Sequence, residues 1–170
     1  MTEGVLDPDL RRDLGAVEVV VFDFDGVFTD NTVLVHQDGS ESVRCWRGDG
    51  LGLARLRGLG VALAVVSTEA NPVVTARCRK LEVDCVQSCV RKEDDLAQLL
   101  ARLDRSPTVT CYLGNDVNDA GCLRAVGLPV VVADAHPEVV PLARFRTRTP
   151  GGFGAVRELC DLIADAIEAR

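Results

Sequence analysis

Four apolar runs, at 17–22, 61–66, 109–113 and 128–132, punctuate the chain. Each is short, rich in β-branched residues and bounded by charged or turn-forming residues. A continuous apolar run without a polar face is what a parallel strand covered on both sides requires. Between the runs, apolar positions recur at helical spacing. Leu51, Leu53, Leu56 and Leu59 do so over 50–59, and Leu96, Leu99, Leu100 and Leu103 over 92–103. Asn71 followed by Pro72 reads as the capped start of a helix over 71–81, and 119–126 and 153–169 follow the same periodicity. The segments 32–36 and 42–46, joined by the turn-like Gln37-Asp38-Gly39-Ser40, predict a β-hairpin inserted after the first strand. Strand and helix in alternation predict an α/β fold, a doubly wound parallel sheet with right-handed crossovers. Its 170 residues, without repeats or an internal linker, fit a single domain over 1–170. Residues 1–14 are expected to be a loose lead-in.

Charge sharpens this picture. The formal net charge is −7, and residues 1–30 alone carry eight acids against Arg11 and Arg12. With no basic surplus to neutralise phosphates, nucleic acid and anionic lipid are excluded as partners. No apolar run approaches the ~18 residues of a membrane span, so no membrane association is expected. The seven cysteines are scattered, with no CxxC pair, and no basic segment leads into an apolar one near the start. Both features fit a cytoplasmic protein whose thiols are buried hydrophobes. Arginine outnumbers lysine heavily, which singles out the two lysines, Lys80 and Lys92.

In open parallel sheets, ligands bind beyond the carboxyl ends of the strands. The first strand ends in Asp23-Phe24-Asp25-Gly26-Val27. Alternation places Asp23 and Asp25 on one side of the chain, where two carboxylates repel unless a cation joins them. A hard ion with oxygen ligands, most simply Mg²⁺, answers that need, and Gly26 lets the backbone turn close to a ligand. The third apolar strand ends in Gly114-Asn115-Asp116-Val117-Asn118-Asp119, a second acidic loop at the same edge. The second ends in Ser67-Thr68, which offers hydroxyl and N–H donors for a phosphate. Lys92, opening a helix, supplies a point-like ammonium for a phosphate or a facing aspartate.

This ordered set resembles the haloacid dehalogenase superfamily over essentially the whole chain. The resemblance implies that Asp23 is the nucleophile and Asp25 the general acid/base, with Ser67, Lys92 and 114–119 as the remaining three motifs. An insertion no larger than a hairpin is similar to the branch without a cap domain, the phosphatases of 3-deoxy-D-manno-octulosonate (KDO) 8-phosphate and of nononate or sialate 9-phosphates. Asp23-Phe24-Asp25-Gly26-Val27-Phe28-Thr29-Asp30 resembles that branch's DxDGVxTD opening, and the segment from Gly151 to Glu158 its GGxGAxRE tail. The implied function is Mg²⁺-dependent hydrolysis of a sugar-acid phosphate through an aspartyl-phosphate. Metal ligands would come from Asp23, Asp25, Asn115 and Asp116, with Asp119 orienting metal waters or Lys92. Phosphate and substrate would meet Ser67, Thr68, Glu69, Lys92 and Gly26. The resemblance further implies a homotetramer in which the hairpins assemble.

Two positions depart from the family pattern. Asn115 stands where a metal-binding Asp is usual, leaving either it or Asp116 as the direct ligand. Glu69 stands where the KDO phosphate phosphatases carry Arg, which favours a nononate-type substrate. Both departures also suit a rival reading, a non-catalytic oligomerisation module associated with a sialate cytidylyltransferase. A receiver domain is excluded because its phosphoacceptor ends a later strand. His36 and His136 read as structural. Arg144, Arg146 and Arg148 alternate along an extended stretch and would share a face toward a carboxylate, a partner or solvent.

Overall fold

A computed structural model describes residues 7–170; residues 1–6, with Glu3, lie outside them. Six parallel strands form the central sheet in the order β5-β4-β1-β6-β7-β8. They are β1 (Val19–Phe22), β4 (Ala62–Val66), β5 (Asp84–Val86), β6 (Thr110–Gly114), β7 (Leu128–Val131) and β8 (Phe145–Arg146). The separate hairpin comprises β2 (Leu34–Val35) and β3 (Glu41–Ser42). Its paired part is shorter than the pattern predicts.

The four apolar runs are the four central strands. All four residues of β1 and all five of β6 are buried, as double coverage demands. The sequence pattern missed β5 and β8. Both are edge strands of two or three residues, too short and too polar to stand out as apolar runs. Arg144 and Arg146, expected to share an open face, flank Phe145 on β8; Arg144 pairs with Asp7 at 2.7 Å, and Arg146 donates to the Ala133 carbonyl.

Among the described residues, six α-helices complete the fold: α1 (Pro8–Gly15), α2 (Asp49–Gly58), α3 (Val73–Leu81), α4 (Lys92–Leu103), α5 (Ala120–Ala125) and α6 (Ala155–Glu168). α1 and α2 each pack on α6, and α4 packs with α5. The expectation of a loose lead-in fails from Pro8 onward. Pro8 opens α1, Asp7 accepts from the Asp9 amide, and Leu10 and Leu14 are buried in the core. An acidic, Arg-rich surface hid an amphipathic helix of eight residues. Asn71, expected as the N-cap of α3, stands one residue too early: Pro72 takes the cap position, and Asn71 Oδ1 accepts from the Val73 amide at 3.0 Å.

Between β1 and α2 the chain inserts only the hairpin, so no cap domain stands over the strand ends. From β1 the chain moves outward to β4 and β5, then returns past β1 to β6. The carboxyl ends of β1 and β6 therefore flank the point where the winding reverses, where open α/β sheets hold their ligands. Among the described residues, no helix is long and apolar enough to cross a membrane.

Candidate active site

The Asp23 amide donates to the Leu113 carbonyl at 2.9 Å, extending the β1–β6 ladder by one bond before the chain leaves the sheet. The next residues wind into a tight turn in which the Phe28 amide donates to the Phe24 carbonyl. Gly26 sits at φ +77°, and a Cβ there would overlap the Asn115 side chain. Glycine is thus required twice, by the backbone and by its neighbour. The tail presses on the same turn: a Cβ at Gly151 would overlap the Gly26 carbonyl, and the Gly152 amide donates to the Val27 carbonyl at 3.0 Å. The glycine-rich tail and the DxDGV loop are two halves of one packed corner.

At the centre lies Lys92, 2 % exposed. Its Nζ is 2.7 Å from Asp23 Oδ1 and 2.9 Å from Asp119 Oδ1. Asp119 also accepts from the Tyr112 hydroxyl at 2.7 Å, the Asn115 amide at 2.8 Å and the Asp116 amide at 3.2 Å. It is buried with donors on both oxygens, and so positions Lys92 and the loop rather than facing solvent. Tyr112, the chain's single tyrosine, is a member of this cluster that sequence reasoning missed. A phenol hydroxyl at the buried centre of a parallel strand, where it needs a polar partner, is the signal that could have found it.

Electrostatics follow from burial. Desolvation pushes the Asp23 carboxyl up to about 7, Asp119 adds to the rise, and Lys92 pulls against both. For Lys92, burial works against the ammonium, yet Asp23 and Asp119 outweigh it and hold its pKa above the ordinary value. One cation between two carboxylates leaves the cluster with a net negative charge. Asp25 is half-buried, and its pKa is also raised, first by desolvation and then by Glu69. Thr29 steers it: its hydroxyl donates to Asp25 Oδ1 at 3.4 Å while accepting from the Gly26 amide at 3.1 Å.

Asp23 Oδ1 accepts from the Phe24 amide at 2.7 Å as well as from Lys92, leaving Oδ2 turned toward Asn115. With its nitrogen inward, the Asn115 amide donates to Asp23 Oδ2 at 3.1 Å and to the Asp25 carbonyl at 3.0 Å. With its oxygen inward, the same spacings set an amide oxygen beside both a carboxylate oxygen and a carbonyl oxygen. Oxygens ~3.0 Å apart form the edge of an octahedron with metal–oxygen distances of ~2.0–2.1 Å, so the donor set fits a small hard cation. One carboxylate, one carbonyl and one amide make up this set; no cluster of three His, Cys, Asp or Glu suited to a metal exists among the described residues. Asp116 turns elsewhere, accepting from the Val117 amide at 2.7 Å in a reciprocal cap with Asp119.

These groups border a cavity of about 270 Å³. Ser67, 1 % exposed, and Thr68 form its β4 side, and Asn31, which the sequence did not single out, lies at its rim. Ser67 Oγ accepts from the Glu69 amide at 3.1 Å. Glu69 curls onto its own turn, accepting from the Ala70 and Asn71 amides at 2.7 and 2.8 Å, rather than extending into solvent. His36 and His136 lie outside the cavity lining.

Comparison with known proteins agrees with this geometry. Residues 71–157 match the haloacid dehalogenase-like hydrolase family. The chain is 32% identical over 161 residues to the 3-deoxy-D-manno-octulosonate 8-phosphate phosphatase of Escherichia coli, spanning 94% of this chain and 86% of that one. Among solved structures it resembles a putative hydrolase of the same family from Streptomyces avermitilis, with a TM-score of 0.84 and 46% identity over 86% of this chain and 84% of that one. It also resembles the 3-deoxy-D-manno-octulosonate 8-phosphate phosphatase of Moraxella catarrhalis, solved in complex with magnesium ion, phosphate ion and KDO, with a TM-score of 0.90 and 26% identity over 95% of both chains. Fold, site and relatives agree: the chain belongs to the haloacid dehalogenase-like hydrolases, in their capless phosphatase branch.

Proposed function

We propose that the protein is a divalent-metal-dependent phosphatase, most simply using Mg²⁺, that hydrolyses the phosphate monoester of an eight- or nine-carbon keto sugar acid. The observation that carries this reading is the convergence of Asp23 Oδ2, the Asp25 carbonyl and the Asn115 amide beside the Lys92 ammonium. Asn115, rather than Asp116, which caps the following turn, would hold the metal directly. A bound Mg²⁺ would offset the repulsion between Asp23 and the incoming phosphate. Asp23 attacks phosphorus in line; the bond to the sugar oxygen breaks as Asp25 donates its proton to that oxygen. Asp25 then takes a proton from water, which attacks phosphorus and releases Asp23. Ser67, Thr68 and Lys92 hold the phosphoryl oxygens where charge develops, and Asp119 keeps Lys92 in place.

KDO 8-phosphate is the first candidate substrate, since the relatives that match nearly the whole chain carry that activity in their names. Glu69 favours a second, a nononate or sialate 9-phosphate, because it puts a negative charge beside Asp25. The rival reading as a non-catalytic module is opposed by the intact set of Asp23, Asp25, Ser67 and Lys92. Without a cap domain the site is open, and the exposed hairpin suits assembly of copies into a homotetramer.

Phosphate release from KDO 8-phosphate and the 9-phosphates of nononate and sialate, with Mg²⁺ and after chelation, tests the proposal. We expect turnover of at least one that stops on chelation, and a loss of at least ~10³-fold in Asp23→Asn with the fold intact. Undiminished hydrolysis after chelation, or by Asp23→Asn, overturns it.

A further inference from the structure

Five of the seven cysteines are buried, as thiols serving as small hydrophobes should be, but Cys45 and Cys85 are only partly covered. Cys85 lies on β5, the strand at one edge of the sheet. α3 leads into β5 and runs antiparallel to it. Glu82, in the left-handed region at φ 55°, ends the helix, and the Val83 amide donates back to the Cys78 carbonyl at 3.1 Å. Two pairs of side chains set the register between these elements. Thr75 and Cys78, three residues apart on α3, share a face, as do Cys85 and Gln87, two apart on β5. The Thr75 hydroxyl donates to Gln87 Oε1. One helical step further on, Cys78 comes opposite Cys85, and the two thiols meet within hydrogen-bonding reach.

The two sulfurs are unequal. Cys78 is 2 % exposed, and burial, with the Cys85 sulfur beside it, pushes its thiol up and away from the reactive thiolate. Burial also pushes up the thiol of Cys45, the third cysteine near this pair. Cys85, half-covered on the edge strand, is the sulfur that an oxidant meets, and Cys78 stands behind it. From Cys85 onward, β5 and its following turn hold the loop on the β4 side of the catalytic cavity. The Ser67 amide donates to the Val86 carbonyl at 2.9 Å, the Cys89 amide to the Ser67 carbonyl at 3.1 Å and the Ser88 amide to the Glu69 carbonyl at 3.1 Å. Gln87 ties the thiols to this loop: Cys85 Sγ donates to its Oε1 at 4.0 Å, and its Nε2 donates to the Glu69 carbonyl at 3.5 Å.

We infer that Cys78 and Cys85 are a redox-sensitive dithiol that hydrogen peroxide closes to a disulfide, and that closure loosens the Ser67–Glu69 loop and slows turnover. The Cys85 sulfur attacks one peroxide oxygen; the O–O bond breaks, and the other oxygen leaves as water with the thiol proton. Cys78 then attacks the Cys85 sulfur; the S–O bond of the sulfenic acid breaks, and its hydroxyl leaves as water with the Cys78 proton. Two thiols are oxidised, one peroxide is reduced to two waters, and a dithiol reductant reverses the change. Drawing Cys85 toward α3 takes the neighbouring Gln87, and its grip on Glu69, out of place. The effect on turnover rests on the phosphatase reading; the disulfide and the loosened loop do not.

Treatment of the Mg²⁺-loaded protein with excess hydrogen peroxide, followed by peptide mass spectrometry, tests the dithiol. We expect Cys78 and Cys85 joined with the loss of their two thiol hydrogens, while Cys111 and Cys160 stay reduced. Amide hydrogen exchange over residues 67–71 should quicken at least ~10-fold on oxidation, and turnover should fall at least ~10-fold as the phosphate loop shifts. Dithiothreitol should restore both. Cys78→Ala should match native turnover before treatment, leave Cys85 as a sulfenic acid trapped by dimedone, and show no change in the loop. Cys85→Ala, at a half-covered position, should form no disulfide and keep its turnover under peroxide. Free Cys78 and Cys85 after treatment, or a bond from either to Cys45, overturns the dithiol. A Cys78–Cys85 bond that leaves exchange and turnover unchanged overturns the switch. A protein inactive before treatment that still forms the bond and loosens the loop supports the switch and counts against the phosphatase reading alone.

Discussion

The Lys92 cluster and the β2–β3 hairpin both follow from the first strand, yet they are built on opposite terms. In the cluster, the chain supplies its own partners: Lys92 bridges Asp23 and Asp119, and Tyr112 and two backbone amides complete Asp119. In the hairpin, Val33, Leu34 and Val35 remain 50%, 63% and 62% exposed. The buried polar region is self-sufficient and the exposed apolar region is not. This reverses the usual expectation that polar groups need solvent and apolar groups need the core. Burial of charge is tolerable where each charge is paired and hydrogen-bonded; a contiguous apolar patch left on a surface is the kind that marks contact sites.

Removing the cation tests the self-sufficiency most severely. Lys92→Met leaves two carboxylates buried without a counter-charge, and breaking a buried pair this way costs about 3–5 kcal/mol. Denaturant unfolding at neutral pH should show a loss of that size, together with loss of phosphatase activity. A variant as stable as the native protein would mean that the cluster is solvated and its pairing incidental.

Tyr112→Phe is a gentler probe of the same region. It removes one of four donors to Asp119 and leaves the ring in the core. The expected loss is about 1–2 kcal/mol, with turnover reduced severalfold as Lys92 gains freedom. An unchanged midpoint and unchanged turnover would reduce Tyr112 to core packing.

Asp23, Asp25, Ser67, Lys92 and the Gly114–Asp119 loop were legible in the sequence because each follows directly on a strand or opens a helix. Strand ends in a parallel sheet converge whatever their sequence separation. The same logic could not show that Asp116 caps the loop while Asn115 faces Asp23, since both choices suit one stretch of sequence and only the turn geometry decides. Tyr112 and Thr29 donate to Asp119 and Asp25 from positions that read as ordinary strand and loop residues. β5 and β8 escaped for a different reason, because edge strands lack the two-sided burial that makes an apolar run. α1 escaped because the charge of its exposed face dominates its composition, while Leu10 and Leu14 alone mark the buried one.

Where hairpin and domain meet, Asp49 opens α2 with its carboxylate buried. Burial pushes its pKa from the ordinary 3.8 up to about 6, against the pull of the Arg157 amide and of Arg77. A carboxyl raised on folding gives stability that is full below about pH 4 and lost as the pH climbs through about 6. Asp49→Asn cannot ionise. Relative to native, its stability should rise between pH 4 and 7 by on the order of 2 kcal/mol. Parallel stability–pH curves for the two proteins would show that Asp49 is neutral, or fully solvated, across that range.

The smallest effect on the folded chain, and the sharpest test of the hairpin, is expected from Val35→Ser. Val35 is 62% exposed and lies on a two-stranded sheet separate from the core, so the change removes little burial within the chain. Surface substitutions of this kind fall within about 0.5 kcal/mol, and unfolding at concentrations where copies are dissociated should show no more. If copies meet through Val33, Leu34 and Val35, the same change puts a hydroxyl into a desolvated contact repeated in every copy. Sedimentation should then shift from the assembled species toward the monomer, while the Lys92 cluster, and with it the metal-dependent affinity for phosphate, is unaffected. A native protein that sediments as an active monomer, or a Val35→Ser variant that assembles as well as native, would mean that the apolar hairpin does not serve assembly of this chain.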